Sequence, residues 1–350
     1  CFKFPKLHNA AWPGVVGKGG DGNQPPIGLD EMLDLTAAAD CGGVKFDGFD
    51  LFLYSPHIDI DAAMRDDGVL YALADKATAR GLTIGSVVAP IWPPTGGGAA
   101  MGDDAECAKF LAQVRKGCYV AKRLREVKVR PHGVVRIDSA SNIKAFLADP
   151  DGNLGRIART FREACIIAED NGERLAAEGE VCWGGMHTLK LMVRLLEAVD
   201  RPQTLGFQAD MAHTLMYMLG TNGGPDDRLL PQDFIWSDSD TFDSAYRQLV
   251  AALQPWTIDF HVAQNDGTVH GTGSHDDTGR HCLPGDPNGK LDIVKLAGWW
   301  LRDSENQLTK RFAHVCWDGC MFPNEVLMNP ETWNSILGVM VEIRQQHGWN

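Results

Sequence analysis

The sequence predicts an α/β protein built as a single (β/α)8 barrel over residues 1–350, and three observations support this fold class. Short apolar runs of strand character alternate eight times with helical patterns, an alternation typical of a parallel sheet. The length of 350 residues is common for one barrel of this kind. The Gly-rich segment 17–22 (GKGGDG) has the G-x-G-x-x-G spacing, but it does not join the first predicted strand directly to a helix and is interpreted as a barrel loop, which disfavours the alternative, an open doubly wound sheet.

The strands are predicted where short runs rich in apolar residues are bounded by Gly, Pro, Asn or Asp. Their length separates them from the longer helical patterns, because strands seldom exceed ten residues. The eight predicted strands are residues 2–9, 43–53, 82–91, 133–138, 174–182, 204–210, 257–264 and 312–318.

The helices are predicted where apolar residues recur every three or four positions. Gly81 ends the second helix, and Asn171–Gly172 ends the fourth, because these residue types adopt the left-handed conformation that closes a helix. The eight predicted helices are residues 29–39, 68–80, 103–127, 154–170, 189–199, 242–253, 293–301 and 332–345.

Two long loops are predicted on the strand-to-helix side, residues 219–239 after strand six and 265–292 after strand seven. This side is the catalytic, C-terminal face of such a barrel. Loops of this length are commonly functional. We expect the second to be a lid that brings Arg280 or His281 to a polar ligand, although a solvated loop is the alternative. The cationic and imidazole side chains of this loop are His270, His275, Arg280 and His281.

Composition and charge exclude several classes of protein. The 33 basic and 46 acidic residues give a net charge of −13, whereas proteins that track nucleic-acid phosphates are usually basic. No run reaches the roughly 18 apolar residues of a membrane span. Nine scattered cysteines without a C-x-x-C pair, and no signal-peptide pattern, lead us to expect a reducing, cytoplasmic location.

The last four predicted strands each carry one apolar face and one polar face. Side chains alternate along a strand, so the polar face is expected to look into the barrel. Barrel interiors are normally packed with branched apolar residues, and polar residues late in a strand should therefore converge at the open end. The polar faces of these strands hold Glu178 and Glu180, Gln208 and Asp210, Asp259 and His261, and His314, Cys316 and Asp318.

Four of these residues are predicted to bind one divalent cation: Glu180, Asp210, His261 and Asp318. Three carboxylates held together away from water would raise each other's pKa values, and a cation removes that repulsion. An oxygen-rich set with one imidazole suits Mn²⁺ first, with Mg²⁺, Co²⁺ or Zn²⁺ as alternatives. The competing interpretation is that these are strand-end polar residues bonded to neighbouring loops.

The same segments resemble the metal-bearing strands five to eight of the xylose isomerase-like TIM barrels, the sugar phosphate isomerase/epimerase superfamily, and the resemblance extends over nearly the whole chain. It implies a metal-binding Glu on strand five, an Asp-x-x-His element on strand six, a His on strand seven and an acid on strand eight. The segments are residues 177–183 (AEGEVCW), 208–213 (QADMAH), 259–262 (DFHV) and 316–319 (CWDG).

Two positions depart from the family pattern. Strand five offers both Glu178 and Glu180, so its ligand is ambiguous, and Glu180 is chosen because it is nearer the predicted strand end. Strand eight carries Asp318 where relatives often have Glu, with Glu325 in the following loop. The shorter Asp side chain would move the ion or admit a water molecule.

The predicted activity is that of a metal-dependent sugar isomerase or epimerase. The cation would act as a Lewis acid on a carbonyl and an adjacent hydroxyl, and a nearby base would remove a C–H proton to give an enediolate. Glu178, His213 and His281 are the expected catalytic residues. The expected substrate-binding residues are Arg280, Trp183 and Gln208, and the aromatic rings that could stack on a sugar are Trp12, Trp92, Trp183 and Trp236.

Three alternatives stay open. A lyase or dehydratase would use the same proton abstraction for β-elimination from a keto-sugar or a 3-keto-glycoside. An endonuclease that cleaves at abasic sites would need further metal ligands on early strands, for which His8, His57 and His132 are candidates. A non-catalytic sugar-binding barrel would bind no metal. The expected partner is a small carbohydrate rather than a nucleic acid or a membrane, and a homo-oligomer is left open.

Overall fold

Eight parallel strands close into a barrel in the computed structural model, which describes residues 2–11, 13–14, 24–269, 279–319 and 322–350. The predicted α/β (β/α)8 fold is therefore confirmed. Around the barrel the order is β1, β10, β7, β6, β5, β4, β3 and β2. The barrel strands are β1 Lys6–Ala11, β2 Gly48–Phe52, β3 Thr83–Val88, β4 Val135–Ile137, β5 Leu175–Glu178, β6 Leu205–Asp210, β7 Thr257–Val262 and β10 His314–Trp317.

Helices follow the strands and cover the barrel. Most begin at an Asp, Asn or Thr whose side chain accepts a backbone N–H of the first turn, as Thr188 does from Leu191. The described helices are α1 Leu29–Ala38, α2 Ile60–Arg65, α3 Gly68–Thr78, α4 Asp104–Glu126, α5 Ile143–Phe146, α6 Pro150–Asp170, α7 Leu189–Val199, α8 Met211–Leu219, α9 Ser239–Leu253, α10 Ile293–Leu301, α11 Asn324–Leu327 and α12 Pro330–His347. Among them none combines the length and the apolar character that crossing a membrane requires.

The loops after β6 and β7 differ in form from the prediction. A helix, α8, begins directly at the end of β6, because the Asp210 carboxylate accepts from the backbone N–H groups of Ala212 and His213. The long connection therefore runs from α8 to α9. In the loop after β7, β8 Gln264–Val269 pairs with β9 Gly279–Cys282 as an antiparallel hairpin.

The apolar core lies between the strands and the helices, whereas the inside of the barrel is charged. Phe49 and Leu51 of β2, for example, are fully buried in the apolar core. Their neighbour Asp50 instead approaches His261 of β7, a strand that is not adjacent to β2. Contacts between non-adjacent strands must cross the barrel interior, so successive residues of β2 alternate between the apolar core and the barrel interior.

One ion pair joins the loops at the amino-terminal side of β4 and β5. The Arg130 guanidinium donates through Nη1 to Glu173 Oε2 over 2.9 Å and through Nε to the carbonyl of Gly85 over 2.9 Å. Both side chains of the pair are 2% exposed, and Arg125 also donates to Glu173. Glu173 therefore neutralises Arg130 in a place that water does not reach, while the side chain of Arg125 is 40% exposed.

Removing Glu173 should destabilise the barrel strongly. The Glu173→Ala variant leaves Arg130 buried without its counter-ion, which typically costs about 3–5 kcal/mol in the free energy of unfolding. Urea denaturation measures this loss. Arg194→Ala is the control, because Arg194 pairs with Asp151 in the solvent and its loss should cost less than about 1 kcal/mol. If Glu173→Ala lowered the free energy of unfolding by no more than the control does, Glu173 would not be the stabilising counter-ion of Arg130.

Candidate functional site

The carboxyl ends of four neighbouring barrel strands bring Glu178, Asp210, His261 and Asp318 together. One ligand atom from each residue lies within 4.8 Å of the ligand atom of every other. Glu178, Asp210 and His261 lie in β5, β6 and β7, and Asp318 directly follows β10. All four side chains are buried. Parallel strands place their carboxyl ends at the same mouth, and this set is called the mouth cluster below.

Within the mouth cluster, the His261 ring lies between two carboxylates, and the two oxygens of Asp210 have different surroundings. Nδ1 of His261 lies 3.3 Å from Asp318 Oδ2 and 3.9 Å from Asp210 Oδ2. Oδ1 of Asp210 is used to cap α8, while its Oδ2 has no hydrogen-bond partner among the described residues. A buried carboxylate oxygen in this position is costly unless a cation or donor satisfies it.

The two glutamates of strand five have different positions. β5 ends at Glu178, whose carboxylate contacts Arg136, whereas Glu180 lies two residues beyond the strand at the start of a turn closed by the hydrogen bond from the Trp183 N–H to the Glu180 carbonyl. The Glu180 carboxylate accepts from the indole N–H of Trp183 over 3.0 Å and from the thiol of Cys182 over 3.3 Å. Glu180 groups with Glu178 and His213 rather than with Asp210, His261 and Asp318. The geometry therefore places Glu178 where the sequence analysis expected Glu180.

A buried arginine that the sequence analysis did not consider lies at the mouth cluster. Arg136 of β4 extends its Nη2 to within 2.9 Å of Glu178 Oε2 and its Nη1 to 4.0 Å from Asp318 Oδ2. Its guanidinium also lies over the ring of Phe52, 5.4 Å from the centroid. Arg136 is 3% exposed. One permanent positive charge therefore accompanies the three carboxylates of the cluster.

Asp50 is a second contributor that the sequence analysis overlooked. Its Oδ2 lies 3.4 Å from Nε2 of His261, on the opposite side of the imidazole from Asp318. Burial would lower the pKa of His261, but the carboxylates of Asp318 and Asp50 raise that pKa well above its usual value. Burial would likewise raise the pKa of Asp318, which His261, His281 and Arg136 nevertheless hold below its usual range. The site thus carries a strong negative field that favours a cation.

Two further imidazoles lie beside the mouth cluster. His281 of β9 hydrogen-bonds through Nδ1 to the backbone carbonyl of Asp318 over 3.1 Å, and its ring lies 5.0 Å from that of His213. Burial lowers the pKa of His213. Neither ring nitrogen of His213, nor Nε2 of His281, has a hydrogen-bond partner within the described part of the chain. These buried nitrogens are suited to a polar ligand.

The structure describes only some of the residues that were predicted to bind or stack on a substrate. Gln208 is fully buried beside Glu178 across the β5–β6 pairing, and Trp183 is held against Glu180. Trp92 donates its indole N–H to Asp138 over 2.9 Å, whereas Trp236 is 41% exposed. The residues that lie outside the described part are Trp12, His270, His275 and the side chain of Arg280.

The early-strand histidines that an endonuclease would need do not join the mouth cluster. His57 contacts the backbone carbonyl of Ile27 through Nε2 over 3.1 Å. His8 and His132 contact each other, with 3.4 Å between their Nε2 atoms. None of these three histidines groups with Glu178, Asp210, His261 and Asp318. The mouth cluster therefore receives no ligand atom from these three histidines.

Comparison with solved structures relates the whole fold to known barrels. The chain matches a xylose isomerase domain protein from Planctomyces limnophilus at 13% identity and a TM-score of 0.61, covering 99% of both chains. It matches the IolI protein, solved with a bound zinc atom, at 12% identity and a TM-score of 0.61, covering 98% of this chain and 99% of the other. A third match is the 3-keto-D-glucoside 4-epimerase YcjR from E. coli, at 14% identity and a TM-score of 0.53, covering 99% of this chain and 100% of the other.

At the level of sequence, no curated protein matches the chain significantly. The family model for the xylose isomerase-like TIM barrel, in contrast, matches residues 35–298. That range contains β2 to β7, and with them Glu178, Asp210 and His261. Because the match covers most of the chain, and the resemblance found in the sequence is thereby confirmed, this protein belongs to the xylose isomerase-like TIM barrel family.

Proposed function

We propose that the mouth cluster binds one divalent cation, with Glu178, Asp210, His261 and Asp318 as ligands. The donor chemistry supports this assignment, since three carboxylates and one imidazole suit Mn²⁺, with Mg²⁺, Co²⁺ or Zn²⁺ as alternatives. The orphaned Oδ2 of Asp210 supports it further. So does the charge balance, because the three carboxylates together with Arg136 leave two negative charges for a dication to neutralise.

The function that this site supports best is proton transfer next to the carbonyl of a sugar, by an isomerase or epimerase. The bound cation would supply Lewis-acid polarisation of the substrate carbonyl. The observation that best supports this function is that the buried carboxylate of Glu180 lies next to the ligand set without belonging to it. We assign Glu180 as the base, in place of Glu178. The hydrogen bond from Trp183 orients the Glu180 carboxylate toward one position.

The imidazoles and the remaining polar groups are assigned to substrate oxygens. His213 and His281 present ring nitrogens that lack partners among the described residues. The hydrogen bond from His281 to the carbonyl of Asp318 leaves Nε2 of that ring to face the substrate. Arg136 stabilises negative charge that develops on the substrate, because its guanidinium is already buried beside Glu178. Gln208, Trp183 and Arg280 are retained as substrate contacts.

The nature of the substrate follows from the chemistry of the mouth and from the family. A carbohydrate offers the adjacent carbonyl and hydroxyl oxygens that such a site would recognise. The chain's negative charge of −13 disfavours cleavage of nucleic acid. Loss of a β-oxygen after the same proton abstraction would make the enzyme a lyase on a keto-sugar or 3-keto-glycoside, so the product of the reaction decides between the two.

The assignment of the two glutamates can be tested by metal binding. Glu178→Gln should weaken Mn²⁺ binding at the mouth by more than about 100-fold, because a lost ligand costs more than the roughly 10–100-fold of a lost outer contact. Glu180→Gln should weaken it by less than about tenfold. Titration of Mn²⁺ followed by electron paramagnetic resonance measures both, and circular dichroism checks that each variant folds. The opposite ranking would restore Glu180 as the ligand.

The reaction can be tested by hydrogen exchange with solvent. Incubation with aldoses, ketoses and 3-keto-glycosides in deuterium oxide should place deuterium beside the carbonyl, and EDTA should abolish the exchange until Mn²⁺ is restored. Glu180→Gln should slow the exchange by about 10²–10⁴-fold, the usual contribution of a general base. Arg194→Ala, in an exposed ion pair, should exchange like the unaltered protein. Exchange that persists at full rate in Glu180→Gln would exclude Glu180 as the base.

A further inference from the structure

A second cluster of buried metal-binding side chains lies deeper in the barrel. It consists of His8 in β1, Asp50 in β2 and His314 in β10, whose ligand atoms lie within 4.8 Å of one another. All three are at most 4% exposed. His314 begins β10 whereas Asp318 follows its end, so this set, called the floor cluster below, lies on the amino-terminal side of the mouth cluster.

Two of the distances within the floor cluster are close to those between the ligands of a small cation. Asp50 Oδ1 lies 3.1 Å from His8 Nδ1 and 3.1 Å from His314 Nε2. Two ligands of a tetrahedral ion are about 3.3 Å apart when each metal–ligand bond is about 2.0–2.1 Å. The three atoms belong to three adjacent strands of the barrel, which fix their separation.

His132 completes the surroundings that a metal-bound imidazole requires. Its Nε2 lies 3.4 Å from Nε2 of His8, on the side of that ring away from Asp50. A ligating histidine usually donates its other ring N–H to an acceptor, which fixes its orientation. His132 is only partly buried and lies before β4, which gives the cluster its nearest approach to the amino-terminal face.

Gly85 of β3 is required for the three side chains to meet. A Cβ atom at this position would lie 2.3 Å from Asp50 Oδ1, 2.6 Å from His8 Nδ1 and 2.8 Å from His314 Nε2. Real Cβ atoms do not approach polar atoms so closely, so a larger residue would force the three ligand atoms apart. Because glycine has no side chain, the three ligand atoms can approach one another.

Charge compensation also favours a cation here. Asp259 of β7 is buried, and its Oδ1 accepts from the hydroxyl of Ser86 over 2.9 Å and lies 3.9 Å from His314 Nε2. Its Oδ2 has no hydrogen-bond partner among the described residues. Two buried carboxylates, those of Asp50 and Asp259, therefore share the interior with imidazoles, and a dication would neutralise both.

We propose that His8, Asp50 and His314 bind a second divalent ion, of the borderline transition-metal class represented by Zn²⁺. Two imidazoles and one carboxylate suit Zn²⁺ better than the oxygen-rich mouth cluster does. Asp50 connects the sites, because its carboxylate contacts His8 and His314 of the floor cluster while its Oδ2 also contacts His261. The proposal stands apart from the proposed function, since neither the mouth ion nor a sugar enters its derivation.

Metal analysis of the purified protein tests this proposal. The protein is stripped with a chelator, reloaded with Zn²⁺, desalted and analysed by mass spectrometry, and about two equivalents per chain are expected. His314→Gln should retain one equivalent, and so should Asp210→Asn, which removes a mouth ligand instead. The double variant should retain none. Full retention by His314→Gln overturns the floor site alone, whereas full retention by Asp210→Asn overturns the mouth site alone.

Cobalt substitution provides a second readout that depends on geometry. A tetrahedral Co²⁺ ion absorbs visible light much more strongly than an octahedral one, so the loaded protein should show intense bands that His314→Gln loses and Asp210→Asn keeps. His8→Gln is the second variant should His314→Gln fail to fold by circular dichroism. A single Zn²⁺ equivalent without tetrahedral cobalt bands would mean that hydrogen bonds alone hold the floor cluster together.

Discussion

The structure depends on the neutralisation of the negative charges that lie inside the closed barrel. Carboxylates that are removed from water must be paired, hydrogen-bonded or bound to metal, because an isolated buried charge is very costly. Here Glu178 is paired with Arg136, and Asp50 is surrounded by imidazoles. A purely apolar interior would be the simpler way to fill a barrel. Retaining charges on so many strands is therefore understandable as a requirement of chemistry rather than of folding.

His261 links the two parts of this charged interior. One ring nitrogen faces Asp318 and Asp210 at the mouth, and the other faces Asp50 below. An imidazole that binds a metal through one nitrogen is commonly oriented by a carboxylate at the other. In the proposed arrangement Asp50 has that role for the mouth while also contributing to the floor cluster. Changes at Asp50 would consequently reach both sites, which is why the experiments above vary His314 and Asp210 instead.

The fold and much of the mouth could be predicted because both depend on short periodicities. Eight alternations of strand and helix give the barrel, and the period of two along a strand gives its polar inner face. Applied to strands two and four, the same period would have found Asp50 and Arg136, which lie on those inner faces. The polar inner face was predicted only for the last four strands, where the family pattern is concentrated. That signal was present in the sequence, and it went unused.

Other features could not be read from periodicity. Strand five was predicted to extend to residue 182, but β5 ends at Glu178, and the end of a strand is set by pairing with its neighbours rather than by its own residues. The helix α8 was missed because Asp210 serves both as the last residue of β6 and as the cap of the helix. The lid was expected after strand seven. The described part of that loop is the pair of strands β8 and β9, which brings His281 to Asp318.

The end of β5 between the two glutamates has a consequence for the chemistry. In a longer strand Glu178 and Glu180 would face the same way, and both would compete for one ion. Because the chain turns after Glu178, the second carboxylate is set aside and held by Trp183 and Cys182. A ligand and a base need opposite properties, since a ligand shares its electron pair with the metal while a base must keep its own available for a proton. In the proposed assignment, two residues of spacing with a strand end between them provide both the ligand and the base from one segment.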